Sequence, residues 1–533
     1  MYGIATCLYG IAIDKDRLHS RGGGLRGGVK TTGTIDSSAT VPPFLQPCQR
    51  RRSSECLPSA QYDDLKRSPR FHMLKTKQRS LSPSVPMTEG SLWRNILIFS
   101  LPLMLSQILQ VLFTMADVAI VGKFSSSNAM GSVGSTSILV TLFTGFLIGM
   151  GAGVNVRVAQ LLGAKRQEDT EKAVHTALLL CVLTGVIISG LCIFSAEWML
   201  RLIRTRDDLL EGAELYFRIY ALGMPAMGVF NFGNGVMSAN GDTRRPLMYL
   251  LTAGILNVIM NLFFVIVCNM AEDGVALSSI ISQYITAVLI LVHMFRDKSA
   301  CGLRLRSIRF WRGCSVPILV LGIPAGIQNA IFAVANLFIQ RSVNYFDTVM
   351  VNGNSAASNA DTLIYNMMSA FYTACSTFMG QNFGAGRHDR VMKSYFVSLT
   401  YSFAAAAVAG VLLRVFGREF LLLFTNEQTV VDAGMQKVSV MWWSFAISAF
   451  MDCTIAASRG LGKSFAPTVI VIMGSCVFRV AWVYTVFEHF HTIPSLYLLY
   501  SCSWTITAVA EIVYFVIVCR RLRGGKTAEI QSV

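Results

Sequence analysis

Long apolar runs alternate with short polar loops from about residue 95 to residue 519. Each run can cross a hydrocarbon core of about 30 Å as a helix, at a rise of about 1.5 Å per residue. The runs lie near residues 95–120, 128–161, 170–196, 212–238, 246–269, 274–295, 314–342, 354–383, 392–414, 433–458, 466–488 and 495–519. The pattern therefore predicts an all-α integral membrane protein with twelve transmembrane helices.

The second half of this pattern repeats the first. Four segments recur in the same order, the first two at an offset of 221 residues: Gln160–Ala164 as Gln381–Ala385, Ile285–Val288 as Ile506–Val509, Pro102 as Pro324 and Gly241 as Gly460. Six spans return the chain to its starting side, so the halves are related by an axis along the membrane normal. We predict two pseudo-symmetric six-helix bundles, 91–300 and 314–520, with a cytoplasmic linker at 301–313 and a cytoplasmic tail at 521–533.

Residues 1–90 differ from the rest of the chain. They contain 14 Lys and Arg against 7 Asp and Glu, and no apolar run long enough to span a membrane. Because such a segment cannot bury enough apolar surface to fold, we predict a disordered basic extension. The stretch MTEGSLWRNILIF from Met87 has the form of a chain start. Our hypothesis is that residues 1–86 are an upstream extension absent from the native protein.

Composition narrows the class of protein. The chain is 53% hydrophobic and only 14% charged, yet has a net charge of +16. Soluble domains carry about a quarter of their residues as charges, so a soluble enzyme or nucleic-acid-binding protein is excluded. The loops after the even-numbered spans hold most of the basic loop residues, which predicts that both termini face the cytoplasm.

One carboxylate lies deep within an apolar run. Asp117 is 22 residues beyond residue 95, or about 33 Å by helical rise, which places it in the outer half of the membrane. Intramembrane charges cost several kcal/mol unless they are paired or hydrated, so they mark functional sites. A carboxylate can hold a proton or a hard cation. Asn257 and Asn261 lie one turn apart on one face of the fifth span.

Five segments point to a known family: LPLMLSQILQVLFTMADVAIVGK from Leu101, AQLLGAKR from Ala159, ANGDTRRP from Ala239, GQNFGAGR from Gly380 and SRGLGKSFAP from Ser458. With them, the chain from about Met87 to Arg521 resembles the multidrug and toxic compound extrusion (MATE) family. The phrase GMGAGVNVRVAQ from Gly149 is similar to its bacterial DinF-like branch. The resemblance implies two six-helix bundles around a V-shaped cleft, and export of bulky organic compounds in exchange for Na⁺ or H⁺.

The resemblance also implies a coupling-ion site. Phe113 to Asp117 match the family's FxxxD segment, whose acidic residue binds the ion, and Ser279 stands where relatives have a hydroxyl partner. Asn261 stands where many relatives have a second aspartate, so Asp117 is the only carboxylate of the site. We expect the coupling-ion residues to be Asp117, Asn257, Asn261 and Ser279. The ion is H⁺ or a transiently bound Na⁺, and H⁺ is favoured because Na⁺ prefers more oxygen charge.

Other ionisable residues within the spans form a second candidate set, for the substrate or a second ion: Asp452, Arg157, Arg479 and Glu511. Asp452 lies seven residues before Arg459 in the tenth span. Arg479 and Glu511 lie on adjacent spans, but their depths differ by about 8 Å by helical rise, so a pair across the C-terminal bundle would require a long reach by Arg479 and stays open.

Two glutamines end equivalent spans of the two halves. Gln160 and Gln381 are followed by Gly163 and Gly384. Glycine at this place is typical of a helix C-cap and of close helix packing. We therefore expect these residues to be structural and not to contact the substrate.

Together these features predict a cation-coupled antiporter that exports small organic, often cationic, compounds by alternating access. A flippase for lipid-linked sugars or another lipid is the alternative, because Arg157 lies within a span. A membrane-embedded enzyme is excluded, since the sequence has no HExxH motif and no clustered acidic pair for a catalytic metal. We expect a bacterial plasma-membrane monomer in contact with lipid, without a cofactor, a resident metal or a nucleic-acid partner.

Overall fold

The computed structural model of the protein describes residues 84–125 and 127–523. A helix, or a pair of consecutive helices, stands at each of the twelve predicted spans, which confirms the all-α membrane fold. The helices are α1 (Leu92–Phe124), α2 (Ser127–Gly163), α3 (Gln167–Leu202), α4 (Asp207–Ala221), α5 (Met224–Ala239), α6 (Arg244–Leu262), α7 (Glu272–Arg296), α8 (Arg312–Val343), α9 (Thr348–Gly384), α10 (His388–Leu421), α11 (Gln428–Met441), α12 (Ser444–Gly460), α13 (Phe465–Phe490) and α14 (Ile493–Arg523).

Two of the spans are broken at equivalent places. The fourth span consists of α4 and α5, and the tenth consists of α11 and α12, with breaks 220 residues apart. Pro225 stands at the start of α5, where a proline cannot continue the preceding helix because it has no N–H to donate. The second pair, α11 and α12, meets at 53°.

Within the described ranges, nine helices are individually long and apolar enough to cross a membrane. The other three spans are the two broken ones and α9. Helix α9 is more polar because its side chains bind neighbouring helices of the same bundle. Asn354 accepts a hydrogen bond from the hydroxyl of Tyr497 at 2.9 Å, and Asp361 forms an ion pair with Lys437 at 2.7 Å.

The first bundle, α1 to α7, meets the second, α8 to α14, along glycine-rich faces of α2 and α8. A Cβ atom on Gly149 would lie 2.2 Å from the backbone nitrogen of Gly326, and one on Gly153 would lie 2.5 Å from that of Gly322. Only glycine permits backbones to approach this closely. The two bundles are therefore in backbone contact along part of α2.

The backbone corrects one element of the predicted repeat. Gly241 and Gly462 have left-handed φ angles of +86° and +84° in the loops after α5 and α12, and they lie 221 residues apart. The sequence pairing of Gly241 with Gly460 was wrong, because Gly460 is the last residue of α12. The offset of 221 thus holds here as well.

Residues 84–91 contact both bundles before α1 begins. The N–H of Val85 donates to the carbonyl of Gly241 at 3.0 Å, and Arg390 of α10 donates to the carbonyl of Gly90 at 3.1 Å. Met87 is buried. Disorder was predicted for residues 1–90; residues 84–90 instead make these contacts, and residues 1–83 lie outside the described residues.

Candidate functional site

The four predicted coupling-ion residues come together between α1, α6 and α7. Asp117 of α1 accepts a hydrogen bond from the amide of Asn261 at 2.5 Å and from the hydroxyl of Ser279 at 3.4 Å. The Asn261 amide nitrogen also lies 3.4 Å from the side-chain oxygen of Asn257. Asn257, Asn261 and Ser279 are buried, whereas Asp117 remains partly accessible. We call these residues, with Ser278, the Asp117 site.

Ser278 is a member of this site that the sequence did not single out. Its hydroxyl donates to the side-chain oxygen of Asn261, and it is fully buried. This bond occupies the amide oxygen, so the amide N–H₂ faces Asp117 and Asn257. Ser278 lies directly before Ser279 and one turn from Gly274. This position was only a weak signal that Ser278 belongs to the site, because consecutive residues of a helix point in directions about 100° apart.

Two aromatic features enclose the Asp117 site. Tyr216 and Tyr220 of α4 stack at 5.9 Å between ring centroids and interact electrostatically with Asp117. Phe113, one turn before Asp117, packs against Gly254, where a Cβ atom would lie 1.9 Å from the ring. Gly254 therefore admits the ring of Phe113 and allows α1 to approach α6.

The second candidate set separates into a cluster and one isolated residue. Asp452 and Arg459 of α12, Arg479 of α13 and Glu511 of α14 interact electrostatically within the second bundle. We call these four residues the C-terminal charged cluster. Arg157 lies elsewhere, near Asp169 and Cys314 at the ends of α2, α3 and α8.

Arg479 and Glu511 are not hydrogen-bonded to each other, so the pairing that the sequence left open is not made. Arg479 donates from Nε to the hydroxyl of Ser503 at 3.1 Å, and its guanidinium lies 4.5 Å from the ring centroid of Tyr500. Ser503 precedes Glu511 by eight residues, or about 12 Å along α14. This separation is larger than the depth difference of about 8 Å between Arg479 and Glu511 that helical rise implies. Arg479 therefore binds α14 more than two turns away from Glu511.

Gln160 and Gln381 join the two bundles at the ends of α2 and α9. The amide of Gln160 donates to the carbonyl of Gly460 at 3.0 Å, and the amide of Gln381 donates to the carbonyl of Ala239 at 2.6 Å. Because 160 and 381 are 221 apart, as are 239 and 460, the two bonds are pseudo-symmetric copies. Each glutamine therefore binds the end of the broken span in the opposite bundle.

Gly163 and Gly384, which follow these glutamines, also pack across the interface between the two bundles. A Cβ atom on Gly163 would lie 2.0 Å from the carbonyl oxygen of Gln381, and one on Gly384 would lie 2.0 Å from that of Gln160. Both glycines are still helical, so their predicted C-cap role was wrong, and the left-handed residues are Lys165 and Gly386. The predicted close packing is present. We call the contacts of these two glutamines and two glycines the glutamine junction.

The repeat is also the basis of the family assignment. The MatE family model matches the chain twice, at residues 102–263 and 324–485, which together cover more than half of it. The chain belongs to the MatE family. The two matches begin at Pro102 and Pro324, so each bundle of this MatE protein is one copy of the family's unit.

Individual relatives agree with this assignment. This MatE protein is 28% identical over 362 residues to the probable multidrug resistance protein YpnP of Bacillus subtilis, covering 67% of this chain and 80% of that protein. It is 22% identical over 364 residues to an FAD transporter of Shewanella oneidensis, covering 66% and 77% of the two chains. It shares its fold with the outward-facing conformation of a multidrug resistance MATE family transporter, at a TM-score of 0.77 and 18% identity, covering 83% of this chain and 99% of that one.

This MatE protein is therefore a multi-span membrane transporter with bacterial relatives. Relatives with multidrug resistance names support multidrug efflux. They do not favour the flippase alternative, which Arg157 had left open.

Proposed function

We propose that this MatE protein is a proton-coupled antiporter that exports small organic compounds by alternating access, with Asp117 as the coupling carboxylate. One observation carries the choice of ion. The amide N–H₂ of Asn261 lies between two oxygen acceptors, 2.5 Å from Asp117 and 3.4 Å from Asn257. A sodium ion between these oxygens would meet two N–H donors, whereas Na⁺ requires acceptors.

Proton binding needs no such rearrangement. Both oxygens of Asp117 accept hydrogen bonds here, and the longer one, from Ser279 at 3.4 Å, is the weaker. A proton added to Oδ2 forms an O–H group that donates to the Ser279 oxygen, which then acts as acceptor. The Asn261 bond to Oδ1 is retained. The site can therefore alternate between a charged and a neutral state with one hydroxyl rotation.

The contacts between the two bundles support the conformational change in this proposal. The glutamine junction lies at the end of the molecule that carries the basic loops after α2, α5, α9 and α12. We assign this end, together with both termini, to the cytoplasmic side of the membrane. With the junction closed, the cleft opens outward. Protonation of Asp117 removes a charge from the contact of α1 with α6 and α7, so α1 can reseat and release the substrate outward.

The proposed partners are small organic substrates and the surrounding lipid of the plasma membrane, with the chain acting as a monomer. The relative named as an FAD transporter carries an anionic dinucleotide, so cationic substrates are not required by the fold. Ethidium is a convenient cationic probe for the first assays.

The test is ethidium transport in proteoliposomes under an imposed H⁺ gradient or an imposed Na⁺ gradient. We expect the H⁺ gradient to drive transport and the Na⁺ gradient alone to drive none. Asp117→Asn should reduce H⁺-driven transport to background while inserting normally. Asp432→Asn is the matched control, because Asp432 is an exposed carboxylate paired with Arg418 at the surface. Transport driven by Na⁺ alone, or unchanged in Asp117→Asn, would contradict the proposal.

A further inference from the structure

Glu511 is the most anomalous charged group in the described part of the chain. It lies on α14 within the C-terminal charged cluster and is 0% exposed. Neither of its carboxylate oxygens has a hydrogen-bond partner among residues 84–125 and 127–523. Buried polar groups in folded proteins are almost always hydrogen-bonded, so this side chain calls for a functional explanation.

An ionised carboxylate in this environment is strongly unfavourable. Moving one charge from water into a protein interior costs several kcal/mol unless a counter-charge and hydrogen bonds compensate it. A protonated carboxyl group carries no charge and avoids most of this cost. We propose that Glu511 is a second proton-carrying site of this transporter, neutral in the conformation described here. This inference assumes the proton-coupled antiport proposed above.

The cluster contains a cation that can form an ion pair with the Glu511 carboxylate after Glu511 has lost its proton. Arg459 of α12 is a cation that interacts electrostatically with Glu511. Its Nη2 donates to the side-chain oxygen of Gln328 on α8 at 2.8 Å, while its Nε is buried without a partner. Arg479 is held by Ser503 and Tyr500, as described above. Arg479 also has an unpartnered donor, its Nη2, but its electrostatic interactions are with Tyr500, Cys476 and Asp452. Arg459 is therefore the guanidinium of the cluster that combines a free donor with an interaction with Glu511.

Arg459 is also the residue next to the glutamine junction. The carbonyl of Gly460 accepts the hydrogen bond of Gln160 at 3.0 Å. When the junction opens, the end of α12 is no longer tied to α2, and Arg459 can turn from Gln328 to Glu511. The O–H bond of Glu511 then breaks, its proton passes to water on the junction side, and the carboxylate pairs with the guanidinium. Closing the junction reverses these changes.

The other titratable groups near Glu511 do not substitute for Arg459. On the elements packed around it they are Asp452 of α12, Arg479 of α13, Tyr395 of α10, Tyr365 and Tyr372 of α9, and Tyr514 of α14 itself. The phenols stay neutral at physiological pH, and Asp452 is acidic. Lys437 of α11 is engaged in its own ion pair. Asp452 is buried like the rest of the cluster and interacts electrostatically with Glu511, and its negative charge cannot replace the guanidinium.

The experiment measures how many protons accompany each ethidium molecule. Full-length protein is reconstituted, the membrane potential is held at zero, and a gradient of one pH unit is imposed until the ethidium concentrations stop changing. One coupled proton gives a concentration ratio of about 10, and a second proton raises it to about 100. We expect the wild type at about 100 and Glu511→Gln at about 10.

Two further variants keep the outcome interpretable. Arg459→Gln retains Glu511 but removes its cation, so the proton is not released and the ratio should also be about 10. Asp432→Asn, a surface carboxylate, should stay at about 100. A wild-type ratio of about 10, or ratios of about 100 in Glu511→Gln or Arg459→Gln, would overturn the Glu511 proposal and leave proton antiport intact. A wild-type ratio of 1 would instead overturn the proposed function.

Discussion

Replacing Asn261 with aspartate should change the coupling ion from H⁺ to Na⁺. In the structure the Asn261 amide donates to Asp117 at 2.5 Å, and its oxygen accepts from Ser278. Asn261→Asp keeps the size and the bond to Ser278 but replaces the donor with a second carboxylate oxygen. The two acidic groups then face each other next to the side-chain oxygen of Asn257.

The expected size of the effect follows from the geometry. Two unit charges about 4 Å apart at an effective dielectric constant of about 20 repel each other by about 4 kcal/mol. A bound cation removes this repulsion, which corresponds to a preference of about a thousandfold for an occupied site. A proton can also relieve it, so the assay must be run at mildly alkaline pH, where Na⁺ competes well. The oxygens of Asn257 and Ser279 would complete the coordination.

The assay is ethidium transport in proteoliposomes with a Na⁺ gradient and no pH gradient. The Asn261→Asp variant should transport under this gradient, whereas the wild type should not. Asn261→Leu is the matched control, because it removes the donor without adding charge, and it should show no Na⁺-driven transport. If Asn261→Asp stayed indifferent to Na⁺, the orientation of the amide would not decide the ion, and our reasoning about the Asp117 site would fail.

Three further changes test other contacts. Ser278→Ala leaves the buried oxygen of Asn261 without its donor and should destabilise the protein by about 1–3 kcal/mol, measured as a lower thermal midpoint in detergent; an unchanged midpoint would contradict this bond. Gly384→Ala places a methyl group against the glutamine junction and should shift the distance distribution between spin labels on the two bundles toward junction-open forms, with no shift counting against the contact. Arg390→Ala should make the segment before α1 more sensitive to limited proteolysis, whereas Lys393→Ala, an exposed neighbour one turn away on α10, should not; equal sensitivity would refute the role of Arg390.

The positions of the helical spans followed from the sequence because they depend on local properties. A run of apolar residues long enough for the bilayer predicts a span wherever it occurs, and all twelve predicted spans are helical. The breaks at Leu222 and Trp442 were not predicted. The repeat of Gln160–Ala164 as Gln381–Ala385 could be recognised in the sequence, but the contacts that these residues make could not. That the two glutamines bind reciprocal helix ends requires knowing which helices of opposite bundles meet.

The Asp117 site was largely predictable for a related reason. Asn257 and Asn261 share one helix face by spacing alone, and the family resemblance brought in Asp117 and Ser279. Ser278 was missed because its role depends on the rotation of α7, which places two consecutive serines against different partners. A rotation of α7 by one residue position would have exchanged the partners of these two serines.

The sequence by itself determined the helical spans, their repeat and the polar residues that lie within them, because these follow from composition and periodicity along one chain. Only the tertiary structure decided which buried charges meet. Arg479 binds Ser503, Arg459 binds Gln328, and Glu511 has no described partner. The physical reason is that the helical period specifies which residues share a face, while the tilt, rotation and relative height of each helix are set by packing against its neighbours.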